Sequence, residues 1–376
     1  MIEPAKSPTL PDSQVFPWLS VFFGLRRYSG ASTTLSFGGF LGWFAATFLL
    51  SFVLVWIYVA SMPMAFLSRD YPLWIAKRTM LAECRPDTVA VFGDSRAVAG
   101  ILPGVMQLRV SNFAMSGSSP IETYFAVQRA LRCQNLPKLV VIAHSAVKYT
   151  DDADFWVFSA RAGFLSYADI REIEAAAEKL HDSQLDAARG GLQLPPGIRD
   201  ALSAAHFPPL YFSSLIDGFV GLRWWHNKAA LQAALASGGQ ALFGRALGSD
   251  SVADEAQDET YRVKPLTDLY FTRTLALLAA RHVPLVVLTM PINRATYEQT
   301  RPQLDFLFSL YLRHKTAKLS NVLMVDSHIP CWSNAFFGDA WHLNQIGAEA
   351  YSRSLDNRLR ALLAGLTDRV GRDHCS

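Results

Sequence analysis

No charged residue occurs from Tyr28 to Ser68, and within that stretch Phe37–Met62 (FGGFLGWFAATFLLSFVLVWIYVASM) is almost wholly apolar. Crossing the hydrocarbon core of a bilayer takes about 20 such residues, so the run is long enough with some to spare. Buried helices of soluble domains are seldom so long without a polar face. A cleaved signal peptide fits poorly, because its charged leader would have to reach through Arg27 and no small-x-small site follows. The reading is a single membrane-spanning anchor at 37–62, with Trp43, Trp56 and Tyr58 near the interfaces. Arg26 and Arg27 precede it and Arg69, Lys77 and Arg78 follow it, so flanking charge does not orient it. A Pro- and Ser-containing tail (1–36) comes before the anchor. A mixed connector (63–87) comes after, in which Tyr71-Pro72-Leu73-Trp74 is expected to rest on the membrane surface.

Of the 376 residues 51% are hydrophobic, a high share for a soluble enzyme that the anchor accounts for. The formal net charge is +3 and the Lys and Arg side chains are scattered, which leaves no basic footprint for nucleic acid. The four cysteines allow three pairings. Cys84 and Cys133 each lie just before an expected strand. Neighbouring strands of a parallel sheet start at one edge, so these two could meet as a disulfide in an oxidising compartment. Separate thiols in a reduced cell are the alternative.

From Thr88 the pattern turns to strand–helix alternation. Val89–Phe92, Val110–Ala114, Leu139–Ala143, Pro284–Thr289 and Val322–Val325 read as strands. Helices are expected at Ile121–Arg132 (opened by Pro120), Leu266–Ala280, Arg294 to about Lys315, and Asn344–Leu363. This order predicts a five-stranded parallel sheet between two helical layers, a three-layer αβα domain over 88–147 and 262–366. Chemistry in such sheets collects beyond the carboxyl ends of the strands. The stretch 148–261 breaks the rhythm as a helical insertion, too long for a simple connection. Its clusters Phe207-Pro208-Pro209-Leu210-Tyr211-Phe212 and Arg223-Trp224-Trp225-His226 suit a lid or substrate platform, or the core of a helical subdomain.

Two segments carry chemistry. Gly93-Asp94-Ser95 ends the first strand in a turn, where a serine can present its hydroxyl above the sheet and following amides can face a developing oxyanion. Asp339-Ala340-Trp341-His342 precedes the last helix, and its spacing is expected to set Asp339 and His342 on one face of a first helical turn. Ser95 would be the nucleophile, His342 its base and Asp339 the group that holds the base. Asp326, at the end of the fifth strand, is a rival acid or a turn former. Asp151, Asp152 and Asp154 lack the glycine and glutamate of a calcium loop, no phosphate-cradling glycine loop is present, and no metal or cofactor is expected.

With these blocks the chain resembles the SGNH (GDSL-like) hydrolase superfamily. Gly93-Asp94-Ser95 matches its first block and Asp339-Ala340-Trp341-His342-Leu343-Asn344 its last. Asn112-Phe113-Ala114-Met115-Ser116-Gly117 looks like its second. The resemblance implies a flavodoxin-like sheet, with the Gly117 amide joining that of Ser95 in an oxyanion hole. The third block departs: the family's Asn is missing from Ala143-His144-Ser145-Ala146, and Ser145 or His144 would have to stand in. Losing one such donor typically costs about 10²–10³ in rate. Arg96, Asn112 and His144 are expected to contact substrate, with solvation of its turn the alternative for Arg96 and a satisfied core position the alternative for His144.

Anchored branches of this superfamily resemble the accessory proteins of polysaccharide O-acetylation and teichoic-acid D-alanylation. That likeness implies an inner-membrane protein with a periplasmic domain, beside a membrane-bound O-acyltransferase partner. Its ligand would be an acylated glycan or an acyl donor, and the activity ester hydrolysis or acyl transfer. A non-catalytic glycan-binding or scaffolding partner of such a complex is the competing expectation.

Overall fold

The computed structural model describes residues 36–67, 70–84, 87–152, 154–160, 162–182, 185, 223–257, 261–300, 302–365 and 375. The chain divides into two compact units, up to Val55 and from Trp56 onward. Helix α1 (Phe37–Ser61) begins in the first, and its large side chains, Phe40, Trp43 and Phe44 among them, are exposed. Over Phe37–Val55 this helix is long and apolar enough to cross a membrane.

The second unit is an α/β domain. Strands β1 (Val89–Gly93), β2 (Val110–Asn112), β3 (Leu139–Ala143), β4 (Leu285–Leu288) and β6 (Val322–Val325) form one sheet in the order β2-β1-β3-β4-β6. Every neighbouring pair is parallel. Strands β1, β3 and β4 are continuous apolar runs because both of their faces are covered. Ala90, Phe92, Val140, Ile142, Leu285 and Val287 enter one core, and Val89, Val91, Leu139, Val141, Val286 and Leu288 enter the other. That separation follows from the period of two along a strand.

Helices α2 (Tyr71–Ala82), α4 (Pro120–Ala130), α5 (Tyr167–Leu180), α7 (Pro265–Ala280) and α8 (Pro302–Thr316) supply the first layer, through Trp74, Phe125, Ile173, Tyr270 and Phe308. Helices α3 (Ser95–Gly100) and α9 (Gln345–Leu363) supply the second, through Val98, Tyr351, Leu355 and Leu359. The chain runs from β1 to β2 on one side and later to β3 on the other. The crevice between β1 and β3 is therefore the topological switch point, where ligands of open α/β sheets bind.

Several sequence expectations need correction. The connector does not leave Tyr71-Pro72-Leu73-Trp74 as an exposed surface segment. Instead α2 is built into the core: Trp74 is 1% exposed, and its indole N–H donates to the Ser116 carbonyl at 3.1 Å. Lys77 on the same helix is fully buried and donates to the carbonyls of Asn112, at 2.5 Å, and Gly239. Burial pulls its pKa down to about 7. Among the described residues of the insertion, helix α6 (Arg223–Ala236) packs on α2. Its Ala234, with Leu231 and Leu235, packs on Leu73 and Ala76 of α2, leaving Trp224 and Trp225 exposed. The Phe207–Phe212 cluster lies outside the described residues. The long helix expected from Arg294 is two, Arg294–Gln299 and α8, because Pro302 cannot continue the first. A small parallel pair, β5 (Ile292–Asn293) with β7 (Cys331–Trp332), was not legible in the sequence. Cys84 pairs with Cys133, as expected at adjacent strand starts, with Cα atoms 5.4 Å apart; Cys331 pairs with Cys375.

Candidate active site

Ser95 owes its position to Asp94. Asp94 is 1% exposed and caps α3, its Oδ1 accepting from the Arg96 amide at 2.9 Å. Its Oδ2 accepts from both the amide and the hydroxyl of Ser145, at 2.7 and 2.6 Å. The carboxylate thus ties the carboxyl end of β1 to that of β3. Burial opposes its charge, but His144, Arg96 and the two Ser145 bonds together hold its pKa below the usual carboxylate range. Ser95 opens the helix, so its own N–H has no partner within α3.

Asp339 and His342 lie in a loop, not in the helical turn expected. Asp339 Oδ1 accepts from the amides of Trp341, at 2.8 Å, and His342, at 2.7 Å, which replaces a helical turn with a side-chain-closed one. The Gly338 amide donates to the His342 carbonyl at 2.9 Å, and Asn344, not Asp339, caps α9. In this loop His342 Nδ1 lies 2.8 Å from Asp339 Oδ2, and its Nε2 lies 2.9 Å from Ser95 Oγ. Burial acts to raise the pKa of Asp339, but the bond and charge of His342 and the two amides outweigh it and hold the carboxyl ionised. An ionised carboxylate only accepts, so Nδ1 carries the ring proton and the Nε2 lone pair faces the serine hydroxyl.

A strap from the insertion fixes this loop. Gly244 lies against Gly338 so closely that a Cβ on Gly244 would sit 2.6 Å from the Gly338 carbonyl carbon. The adjacent Phe243 ring packs on the His342 imidazole with centroids 4.8 Å apart. Sequence reading missed this strap because it has neither helical nor strand periodicity.

Gly117 sits at φ +70, where a side chain is strained. Its loop is held to the end of β1: the Met115 amide and the Ser118 hydroxyl both donate to the Gly93 carbonyl, at 2.9 and 2.7 Å. Among the described residues the Gly117 N–H has no hydrogen-bond partner.

The other expected contacts are differently employed. Ser145 spends both donors on Asp94 and is not turned to an oxyanion. Asn112 is fully buried; its Nδ2 donates to the carbonyls of Ala97 and Ile101, and its Oδ1 accepts from the Ala114 amide. Arg96 is 5% exposed and pairs with Glu255 of the insertion rather than facing substrate or solvent. His144 is 1% exposed, its Nε2 bonded to Thr123 Oγ1 at 2.8 Å, and burial lowers its pKa to about 4. It is a core histidine. Asp326 accepts from the Thr289 amide and pairs with Arg358. Asp152 and Asp154 hold Lys264 and Lys148.

Compared with known proteins, the chain matches no family model, no curated sequence and no solved structure. The fold and site define an α/β protein with a Ser–His–Asp line at the switch point of its sheet.

Proposed function

We propose that this chain is a membrane-anchored serine ester hydrolase or O-acyltransferase of SGNH type. It would act on acyl esters of a cell-envelope glycan. The observation that carries this reading is the unbroken line from Ser95 Oγ through His342 to Asp339, at 2.9 and 2.8 Å.

Ser95 Oγ attacks the ester carbonyl carbon while its proton passes to His342 Nε2. The tetrahedral oxyanion is held by the N–H groups of Ser95 and Gly117. The C–O bond to the alcohol then breaks, and the alcohol leaves with the proton from Nε2. Water or a sugar hydroxyl attacks the acyl-enzyme by the same steps in reverse, giving free acid or a new ester. While the ring holds that proton, the imidazolium is paired with Asp339.

The anchor helix, and disulfides that persist only in oxidising compartments, support a periplasmic domain on the inner membrane. A membrane-bound O-acyltransferase is the partner such an arrangement suits. A second reading, a glycan-binding or scaffolding protein, draws on the commitment of Ser145 to Asp94, which leaves the oxyanion two donors.

Turnover of p-nitrophenyl acetate by the full-length chain in detergent decides between them. Ser95→Ala and His342→Ala are each expected to lower kcat by about 10³-fold or more. Equal turnover by wild type and both variants would overturn the enzymatic reading.

A further inference from the structure

Resting on the esterase reading, we infer that Phe158 is a specificity-determining residue that closes the acyl side of the site to chains longer than two or three carbons. In the tetrahedral intermediate the alcohol oxygen faces His342 Nε2 and the oxyanion faces the two amides. The acyl chain takes the remaining direction, away from His342. The neighbours of His342 in sequence and fold, Leu343 and Phe337, belong to the core on one face of the sheet. Phe158 packs against the core on the other face. It therefore stands on the side to which the acyl chain is sent.

Its distance from the hole is short. A Cβ built on Gly117 would lie 2.6 Å from Phe158 Cδ2 and 2.9 Å from Cγ, so the ring covers the Gly117 α-carbon. Phe158 is half-buried, whereas Phe155, Ser159 and Ala160 around it are buried, so part of the ring remains open to space. It sits in a π-helical turn (Phe155–Ala160), a local register change that recurs at functional sites.

The wall is also rigid. Glu122, 1% exposed, accepts from the Ser159 hydroxyl with one oxygen. With the other it accepts from the Ser119 amide at 2.7 Å and the Ser119 hydroxyl at 2.8 Å. Ser119 is two residues from Gly117, so one buried carboxyl group locks the π turn to the loop of the hole. A fixed wall sets a chain-length limit, where a mobile one would give way.

The test is a series of p-nitrophenyl esters from acetate to octanoate, turned over by the full-length wild type, Phe158→Ala and Phe158→Leu. In the wild type, kcat/KM is expected to fall by about 10²-fold or more from acetate to hexanoate. In Phe158→Ala the hexanoate-to-acetate ratio should rise at least about 10-fold, and in Phe158→Leu butyrate should gain over acetate. Wild-type turnover insensitive to chain length would overturn the role of Phe158 while leaving the triad standing. So would the wild-type limit persisting in Phe158→Leu, the variant that keeps most of the buried volume should the alanine fail to fold. Turnover of no ester at all by wild type would overturn both this inference and the esterase reading.

Discussion

His342 is committed at both ring nitrogens, and the proton on Nδ1 is set by Asp339. Asp339→Asn keeps the shape but offers an amide donor to Nδ1 and reverses the tautomer. We predict a loss of about 10³–10⁴ in kcat with KM nearly unchanged, read in ester turnover. Trp341 is 39% exposed beside His342, with ring centroids 6.5 Å apart. Trp341→Ala should raise KM for a glycan ester about 3- to 10-fold and leave kcat for p-nitrophenyl acetate in place. Near Ser95, His144 is buried in its neutral form with its pKa lowered to about 4. An unfolded histidine titrates near ~6.5, so between those values the unfolded chain binds the extra proton. Stability should therefore fall as pH drops from 6.5 toward 4, by up to about 3 kcal/mol from this residue. Denaturant unfolding of His144→Gln across that range should show a shallower acid loss. Ser95, Asp339 and His342 were legible because each borders a strong strand or helix pattern. The employment of Ser145, Asn112 and Arg96 was not, because nothing in the sequence shows which buried carboxylate or carbonyl will claim a polar side chain.

At the scale of elements, the alternating apolar runs gave the parallel sheet to within a residue or two, since strands covered on both faces leave a plain signature. Helix α2 escaped because a Pro, two aromatics and a buried Lys77 mask its apolar face. Trp74 tests its true place: Trp74→Ala should cost about 3–5 kcal/mol of stability in denaturant unfolding, where a surface tryptophan would cost under about 0.5 kcal/mol. The insertion is tied to the helix opened by Ser95 through Arg96 and Glu255, whose side chains are 5% and 2% exposed. Glu255→Ala leaves a buried guanidinium without its partner and should destabilise by about 3–5 kcal/mol, more than Glu255→Gln. The strap with Phe243 and Gly244 explains why an insertion far in sequence from Ser95 and Asp339 still bears on His342.

At the scale of the molecule, an apolar helix precedes an α/β domain stapled at two places. The Cys84–Cys133 bridge joins the starts of β1 and β3 at the edge opposite the site. Its loss by Cys84→Ser/Cys133→Ser should lower stability by about 2–5 kcal/mol, seen as a reduced Tm, and reducing agent should do the same to the wild type. The central claim is that one serine, reached by His342, forms a covalent acyl bond. Intact-mass and peptide analysis of the full-length chain, quenched after mixing with an activated acetyl ester, tests it most directly. The account predicts one acetyl group on the peptide bearing Ser95, absent from Ser95→Ala and retained longer in His342→Gln. Acetylation that is equal in wild type and Ser95→Ala, or that falls on other residues alone, would contradict it.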